Sequence, residues 1–142
     1  MMLLETRELR KSYAMGDALV HAVDGIDMRV SAGDFMSIMG PSGSGKTTLL
    51  NLLGCIDRPT GGQVLVEGTN AMDLSGAALD RLRLHKIGFV FQRVNLIPIL
   101  SAAENVELPL DMSGQAPQQR RRRALELLAA VGLERRAGHK PA

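Results

Sequence analysis

The chain of 142 residues is 45% hydrophobic and 23% charged, which is typical of a globular domain and argues against intrinsic disorder. Its 17 Lys and Arg residues against 15 Asp and Glu residues give a net charge of +2, which is too small to indicate nucleic-acid binding, and we expect none. The single cysteine, Cys55, excludes an internal disulfide, and no apolar stretch approaches the roughly 18 residues of a membrane-spanning helix, so that membrane association would need a partner protein.

The first thirty residues have the pattern of β-structure. The apolar residues fall mostly on alternate positions, at Val23, Ile26, Met28 and Val30. This alternation predicts half-buried strands. A turn is predicted at 31–34, and the apolar run 35–39 predicts a buried strand. This strand would lead directly into a glycine-rich segment.

The glycine-rich segment 40–48 is the most informative part of the sequence. It fits the pattern G-x-x-x-x-G-K-[ST], in which backbone N–H groups curl around phosphates. The predicted nucleotide-binding residues here are Gly40, Pro41, Ser42, Gly43, Ser44, Gly45, Lys46, Thr47 and Thr48. Lys46 would supply a positive charge for the outer phosphates, and Thr47 a hydroxyl for an accompanying Mg²⁺ ion. The following run 48–53 is predicted to start a helix that extends to about Cys55 and whose positive end faces the same anion.

Turn signals and hydrophobic periodicity predict further strands and helices after this segment. A turn at 57–62 is followed by a strand at 63–66, which Gly68 ends. A helix is predicted at 73–85, and the run 87–91 predicts another buried strand.

The remainder of the chain is predicted to be helical. Ser101 and Glu104 have the spacing of a capping box, which predicts a short helix that Pro109 limits. Pro117 would begin a second helix, and Gly132 would end it.

Two features with charged or reactive side chains have ordinary structural explanations. The four consecutive arginines 120–123 are interpreted as a solvent-exposed helix face, with a surface for anionic lipid or a partner as the alternative. Cys55, on the helix after the glycine-rich segment, is interpreted as a small buried apolar group rather than a nucleophile.

Several separate segments, in the same order, resemble the ATP-binding subunits of ABC transporters, especially the group that serves lipoprotein release and macrolide export. These segments are 12–13, 38–51, 54–62, 87–92 and 104–110. The resemblance covers nearly the whole chain and implies an α/β fold, with a P-loop NTPase core, an antiparallel β subdomain and the start of a helical subdomain. It implies that 1–142 is a partial nucleotide-binding domain, in which 1–92 form the β subdomain and core and 93–142 begin the helical subdomain.

The resemblance also assigns roles to individual residues. Tyr13 matches the aromatic residue that stacks on adenine, and such stacking contributes roughly 1–3 kcal/mol; the alternative is an ordinary strand aromatic. Gln92 matches the glutamine that touches Mg²⁺ and orients the attacking water, although from its sequence context alone it would be an exposed loop residue. The implied catalytic residues are therefore Gln92 and Lys46, and the implied Mg²⁺ ligands are Thr47 and Gln92.

The implied function is that of a subunit that couples ATP binding and hydrolysis to a membrane permease, with ATP and Mg²⁺ as cofactors. The region Arg93–Leu110 corresponds to the surface that docks on the permease, and two ATPase subunits would form a homodimer in the full-length form. Such a subunit would be cytoplasmic and peripheral on the inner face of the cell membrane. The transported substrate is not specified by this sequence, since the permease determines it.

Three parts of the family pattern do not occur in the 142 residues: the Leu-Ser-Gly-Gly-Gln signature, an apolar strand that ends in Asp-Glu near the metal, and the switch histidine. We therefore interpret the chain as an N-terminal portion, truncated before the signature. With only Lys46, Thr47 and Gln92, we expect it to bind ATP with Mg²⁺ but to hydrolyse ATP weakly or not at all. Without parallel neighbours for the strand at 35–39, an apolar edge would be exposed.

Alternative interpretations remain. The chain could be a nucleotide-binding fragment without catalytic activity. It could also be a GTP-hydrolysing switch protein, because Asp73–Gly76 matches D-x-x-G, but this match does not follow an apolar strand and no Asn-Lys-x-Asp motif occurs. For the glycine-rich segment alone, a flexible linker is the alternative, which the apolar runs on both sides disfavour.

Overall fold

The computed structural model describes residues 1–92 and 95–141, and the chain divides into two compact units, residues 1–83 and 84–142. The predicted domain boundary after residue 92 concerns the organisation of a nucleotide-binding domain and stays a prediction. Among the described residues, every helix is too short or too polar to span a bilayer.

An antiparallel sheet of four strands forms most of the first unit. The strands are β1 (Met2–Met15), β2 (Ala18–Ser31), β3 (Gly61–Val66) and β4 (Thr69–Asn70), and their order in the sheet is β2-β1-β3-β4. β1 and β2 form a long hairpin, in which Tyr13 lies opposite Val20. The predicted strands in the first thirty residues and at 63–66 are confirmed, as is the turn after β2, where the Asp34 N–H donates to the Ser31 carbonyl at 3.1 Å.

Helix α1 (Lys46–Leu53) contacts β1 and β2 and completes the core of the first unit. The buried apolar side chains of this unit are Leu9, Val23, Leu52, Cys55, Val64, Val66, Ala71 and Leu79. Thr6 is a buried polar residue, and its hydroxyl donates to the Ile26 carbonyl of β2 at 2.8 Å. This buried hydroxyl therefore has a hydrogen-bond partner. Burial raises the pKa of the Cys55 thiol, and the predicted small buried apolar group is confirmed.

A tight turn ends α1 and leads the chain back toward β1. Cys55 has a left-handed conformation, with φ of +55°, and its N–H donates to the Leu52 carbonyl at 3.0 Å. The N–H groups of Ile56 and Asp57 both donate to the Asn51 carbonyl, at 2.8 and 3.2 Å. These bonds satisfy carbonyls at the end of the helix and fix the place of Asp57 relative to α1.

Helix α2 (Gly76–Lys86) follows a short 3₁₀ turn at Ala71–Asp73, so that the predicted helix at 73–85 begins three residues late. Two segments of the second unit form helices α3 (Ala102–Met112) and α4 (Pro117–Ala130), which contact each other, and their buried apolar residues are Ala103, Ala124 and Leu128. The predicted capping box before α3, the proline at the start of α4 and the stop at Gly132, where φ is +73°, are all confirmed.

The prediction that Pro109 limits its helix is wrong. Pro109 lies inside α3, which continues to Met112. Contacts with α4 hold this last turn, since the Arg121 guanidinium donates to the Glu107 carboxylate at 2.8 Å and a further arginine pairs with Asp111. Tertiary contacts thus outweigh the local cost of a proline in the helix.

The four arginines of α4 all form ion pairs with carboxylates. The pairs are Arg120 with Asp111, Arg121 with Glu107, and Arg122 and Arg123 with Glu126. Arg121, Arg122 and Arg123 are exposed, as the interpretation of a solvent-exposed helix face expects, whereas the Arg120 side chain is only 20% exposed because it pairs with Asp111 of α3.

The predicted buried strands at 35–39 and 87–91 are not strands in this structure. Phe35 is 97% exposed, and Val90 is fully exposed. A buried strand needs neighbours that pair with its N–H and C=O groups, and the described sheet supplies none to either segment. An apolar run is buried only where other segments pack on it, and here the expected exposure of apolar surface is confirmed.

Candidate functional site

In the loop before α1, the backbone at position 45 leaves no room for any residue except glycine. Gly43 and Gly45 both have left-handed conformations, with φ of +81° and +84°. A Cβ atom on Gly45 would lie 2.0 Å from the Ala22 carbonyl oxygen, whereas one on Gly43 would meet no atom within 4 Å. The loop is therefore packed against β2 at Gly45 and open at Gly43.

In the part of the chain that the structure describes, no side chain caps the first turn of α1. Gly45 is the N-cap residue, no side chain accepts a hydrogen bond from the first N–H groups, and no acidic residue occurs in the first turn. The first N–H groups of a helix lack partners within the helix, and its dipole places partial positive charge there. This helix end therefore presents donors and positive potential without a negative group to match them.

The Lys46 side chain adds a full positive charge at the same place. Its ammonium donates to the carbonyl oxygens of Gly40 and Pro41 at 2.9 and 2.6 Å and lies 3.4 Å from the Ser44 hydroxyl. All three acceptors are neutral, and within residues 1–92 and 95–141 no carboxylate pairs with this ammonium. The charge is thus held at the loop without being neutralised.

Tyr13 shares a cavity with this loop. The cavity has a volume of about 620 Å³ and is lined by Tyr13, Ala22 and residues 42–48. Tyr13 lies near the end of β1 and is 40% exposed. The structure therefore brings together the predicted base-stacking residue and the predicted phosphate loop, whose remaining members, Gly40 and Pro41, contribute the carbonyls that accept from Lys46.

The last predicted site residue, Gln92, is exposed and belongs to the second unit. Its predicted contact with Mg²⁺ and water stays a prediction. Arg93, the first residue of the predicted permease contact, lies outside the described residues.

Two residues that the sequence did not single out surround the Tyr13 side chain. The Tyr13 hydroxyl donates to Asp57 Oδ2 at 3.0 Å, and the Lys11 ammonium donates to Asp57 Oδ1 and to the Arg58 carbonyl, both at 2.7 Å. The Lys11 ammonium lies 5.1 Å from the centroid of the Tyr13 ring. The hydrogen bond from Lys11, followed by those from the Arg58 N–H and the Tyr13 hydroxyl, holds the pKa of Asp57 below its usual value.

The donor set near the loop fits a magnesium ion that is carried by phosphates. In the described ranges, no group of three His, Cys, Asp or Glu side chains is placed to hold a metal. Mg²⁺ is usually bound by one or two protein oxygens together with phosphates and waters rather than by a cage of protein ligands. The exposed hydroxyl-bearing residue Thr47, in the first turn of α1, is a donor of that kind.

A second groove of about 500 Å³ runs along the β1–β2 hairpin, and its lining includes Glu5, Arg7 and Arg29. Glu5 pairs with both arginines, at 3.1 and 3.4 Å. Because these charges satisfy one another, this groove offers less to a charged ligand than the loop does.

Known ABC transporter proteins match nearly the whole chain. The family model described as ABC transporter matches residues 23–141. An uncharacterized ABC transporter ATP-binding protein, MJ0796 of Methanocaldococcus jannaschii, is 47% identical over 146 residues, covering 98% of this chain and 61% of that protein. The macrolide export ATP-binding/permease protein MacB of Hyphomonas neptunium is 46% identical over 139 residues, covering 98% of this chain and 22% of that protein.

A solved structure agrees with these sequence matches. The dimeric post-hydrolysis state of the ATP-binding cassette MJ0796, bound to ADP and Pi, has a TM-score of 0.90 and 45% identity, covering 98% of this chain and 62% of that chain. The present chain thus spans about three fifths of the length of that cassette and about a fifth of the MacB protein.

Proposed function

The chain belongs to the ABC transporter family, as a part of its ATP-binding cassette, and on this premise we propose that it binds ATP with Mg²⁺ in the cavity between Tyr13 and the loop 40–48. Both the resemblance inferred from sequence and the predicted P-loop fold class are confirmed by the family match and by the similarity to a solved cassette. The individual ligand contacts are our proposal.

The observation that carries this proposal is the positive charge that the loop leaves without a counterion. Lys46 donates only to neutral oxygens, and α1 begins without a capping side chain. Phosphate oxygens would accept from the ammonium in place of the carbonyls of Gly40 and Pro41, and would also accept from the unpaired N–H groups of the first turn. Each exchange replaces a neutral acceptor by a charged one, which strengthens the hydrogen bond.

We assign the ends of the nucleotide to the two sides of this cavity. The triphosphate would lie on residues 42–48, and the adenine on the ring of Tyr13. The Thr47 hydroxyl would hold a Mg²⁺ ion, which when bound would neutralise charge on the phosphates. Gln92 would orient water through its amide, and with so few of the groups that phosphoryl transfer uses, the 142-residue chain would release phosphate slowly or not at all.

Thermal unfolding tests the proposal directly. At 100 times its Kd, a ligand that binds only the folded state stabilises it by about 2.7 kcal/mol, which is roughly a 5–10 °C rise in Tm for a domain of this size. We expect such a rise with ATP·Mg²⁺. No rise at saturating concentration would overturn the proposal, and a smaller Kd for GTP than for ATP in a competition titration would favour the alternative of a GTP-hydrolysing switch protein.

A second part of the proposal concerns a membrane permease as partner, and the surface that carries it is the turn before α3. Ile99 is 75% exposed in this turn. The Asn105 side chain holds the turn in shape, because its amide donates to the carbonyls of Ile97, Leu100 and Ser101 at 3.0–3.2 Å and its oxygen accepts from the Ile97 N–H at 2.8 Å. A fixed turn with an exposed apolar side chain suits a protein contact.

The relatives support a permease partner only by their descriptions: MacB is an ATP-binding/permease protein, and the solved cassette is dimeric. We propose that the full protein works as a homodimer on the inner face of the membrane. When the chain is produced together with its permease, Ile99→Asp should lower the share recovered with membranes while the Kd for ATP stays unchanged. Equal recovery of the two forms would remove the turn from the contact surface.

A further inference from the structure

The residues around Tyr13 extend the proposed nucleotide site beyond its predicted members. We propose that Asp57 and Lys11 are positioning residues that hold the ring of Tyr13 as a platform for the nucleotide base. This proposal rests on the proposed ATP binding and names further residues of the same site. It is carried by the contacts of the Asp57 carboxylate, by the place of the Lys11 ammonium and by the link from Asp57 to α1.

The Asp57 carboxylate is itself held in one orientation. Oδ2 accepts from the Tyr13 hydroxyl at 3.0 Å, while Oδ1 accepts from the Lys11 ammonium and from the Arg58 N–H, both at 2.7 Å. Because both oxygens are engaged by donors from different parts of the chain, the carboxylate cannot rotate without losing bonds. A tyrosine ring whose hydroxyl is bonded to such a fixed group is restricted in the same way.

The Lys11 ammonium decides which face of the ring is available. It lies over the Tyr13 ring, 5.1 Å from the centroid, and is kept there by Asp57 Oδ1 and the Arg58 carbonyl. Lys11 and Tyr13 are two positions apart on β1, so that their side chains share one face of the strand. The Lys11 side chain is only 12% exposed. A base therefore stacks on the ring face that Lys11 leaves free.

Asp57 also connects the base platform to the phosphate loop. Its N–H donates to the Asn51 carbonyl of α1 at 3.2 Å, and α1 is the helix that begins with Lys46. A second tie lies beside it, because the Ser12 N–H donates to the Thr60 hydroxyl at 3.1 Å. One helix and its closing turn thus set the spacing between the phosphate-binding end and the base-binding end of the cavity.

A ring that is ordered before the ligand arrives loses less conformational entropy on binding. Disturbing Asp57 should therefore weaken ligands that carry a base and leave a base-free triphosphate unaffected. Tyr13 is the only tyrosine of a chain without tryptophan, so that its fluorescence reports on this side chain alone. A carboxylate that accepts from the phenol quenches that emission.

The test measures the Kd of ATP, ADP and inorganic tripolyphosphate, each with Mg²⁺, by calorimetry on the wild-type chain and on variants. Tyr13→Ala should weaken ATP and ADP alike, by about five- to 150-fold, because stacking does not involve the γ-phosphate. Asp57→Asn should weaken both by about three- to tenfold, because a neutral amide oxygen accepts more weakly from the Tyr13 hydroxyl than a carboxylate does. Neither variant should change the Kd of tripolyphosphate.

Tyr13→Phe separates positioning from general damage, because it keeps the ring and removes only the hydroxyl. We expect it to weaken ATP and ADP as Asp57→Asn does, and the two effects to be less than additive in the double variant, since both weaken the bond between the Tyr13 hydroxyl and residue 57. Asp57→Asn should also raise the Tyr13 emission of the free protein. The control is Glu126→Gln, because Glu126 pairs with Arg122 and Arg123 within α4 and does not line the cavity; it should change neither emission nor affinity.

The outcomes separate this inference from the proposed function. If the wild-type chain binds neither ATP nor tripolyphosphate, the proposed function fails and this inference fails with it. If the wild-type chain binds both and Asp57→Asn leaves the Kd of ATP unchanged, only the positioning role is overturned. An equal loss for ATP and tripolyphosphate in Asp57→Asn would show a structural role instead and would also overturn it.

Discussion

Helices α1 and α3 begin in opposite ways. Before α3, the Ser101 hydroxyl accepts from the Glu104 N–H at 3.3 Å, and the Glu104 carboxylate accepts from the Ser101 N–H at 2.7 Å. Before α1, Gly45 offers no side chain and the first turn contains no acid. The N-terminal donors of α3 are satisfied by Ser101 and by the carbonyls of Ala137 and His139, whereas those of α1 are left for another acceptor.

The charged residues at the two helix starts differ in the same way. Glu104 places a negative charge where the dipole of α3 favours one, and the Ser101 N–H, followed by the Ser101 hydroxyl, holds the pKa of this carboxyl below its usual value. α1 instead begins with Lys46, a cation at the end of a helix that disfavours cations. A helix shaped only for stability would resemble α3. The beginning of α1 is explained if a bound polyanion accepts hydrogen bonds from its first N–H groups and pairs with Lys46.

Replacing the cation should have the largest effect on binding. Lys46→Ala removes a charge-assisted donor to more than one phosphate oxygen, and we expect the Kd of ATP and of tripolyphosphate to rise by about 100-fold or more. Calorimetry measures both ligands. An unchanged Kd for tripolyphosphate would remove the loop from the phosphate-binding role.

The backbone of the loop should come next. Gly45→Ala introduces a Cβ atom 2.0 Å from the Ala22 carbonyl oxygen, so that the loop must move, and we expect lower Tm and weaker ATP binding. Gly43→Ala is the matched control, since Gly43 is also left-handed but a Cβ atom there would meet no other atom. It should lower the free energy of unfolding only by the cost of a left-handed alanine, about 1–2 kcal/mol. Equal losses of Tm in the two variants would mean that the contact with β2 does not constrain the loop.

The cap of α3 provides the opposite case. Ser101→Ala should lower the free energy of unfolding by about 1 kcal/mol, because α3 loses its capping hydroxyl. The Kd of ATP should stay unchanged, since α3 is not a part of the proposed cavity. Denaturant unfolding and calorimetry on one sample measure both quantities, and a weaker ATP affinity in this variant would break the contrast between the two helix ends.

The smallest expected effect is a dependence on pH that belongs to α3 and not to α1. The pKa of Glu104 is lower in the folded chain than in the unfolded chain, so its contribution to stability is complete above the unfolded pKa and is lost as the pH falls through the folded pKa. Glu104→Gln should flatten the decline of Tm in acid. Parallel Tm curves for the variant and the wild-type chain would show that this carboxylate does not contribute.

Features that rest on neighbouring residues in the chain were predictable from sequence. The capping box at Ser101 and Glu104, the helix start at Pro117 and the stop at Gly132 each depend on local backbone chemistry, and the structure has all of them. The pattern of the loop 40–48 is local in the same sense, because consecutive N–H groups and one lysine form it.

Features that rest on distant partners were not predictable in the same way. The run 35–39 is as apolar as the strand at 63–66, yet Val64 is buried and Phe35 is exposed, since only the second run has β1 beside it. Lys11 and Asp57 are 46 residues apart, and no spacing rule in the sequence joins them. Periodicity reports which residues favour burial, while pairing decides which residues are buried.

The central claim, that the uncapped end of α1 binds a polyanion, is tested most directly by amide chemical shifts during titration with ATP·Mg²⁺. We predict that the amides of Gly40 and of residues 42–48 shift strongly. Those of Tyr13 and its neighbours should shift with ATP but not with tripolyphosphate, and the first turn of α3 should stay unchanged. Shifts at α3 or elsewhere, with the loop unaffected at saturating ATP, would contradict the account.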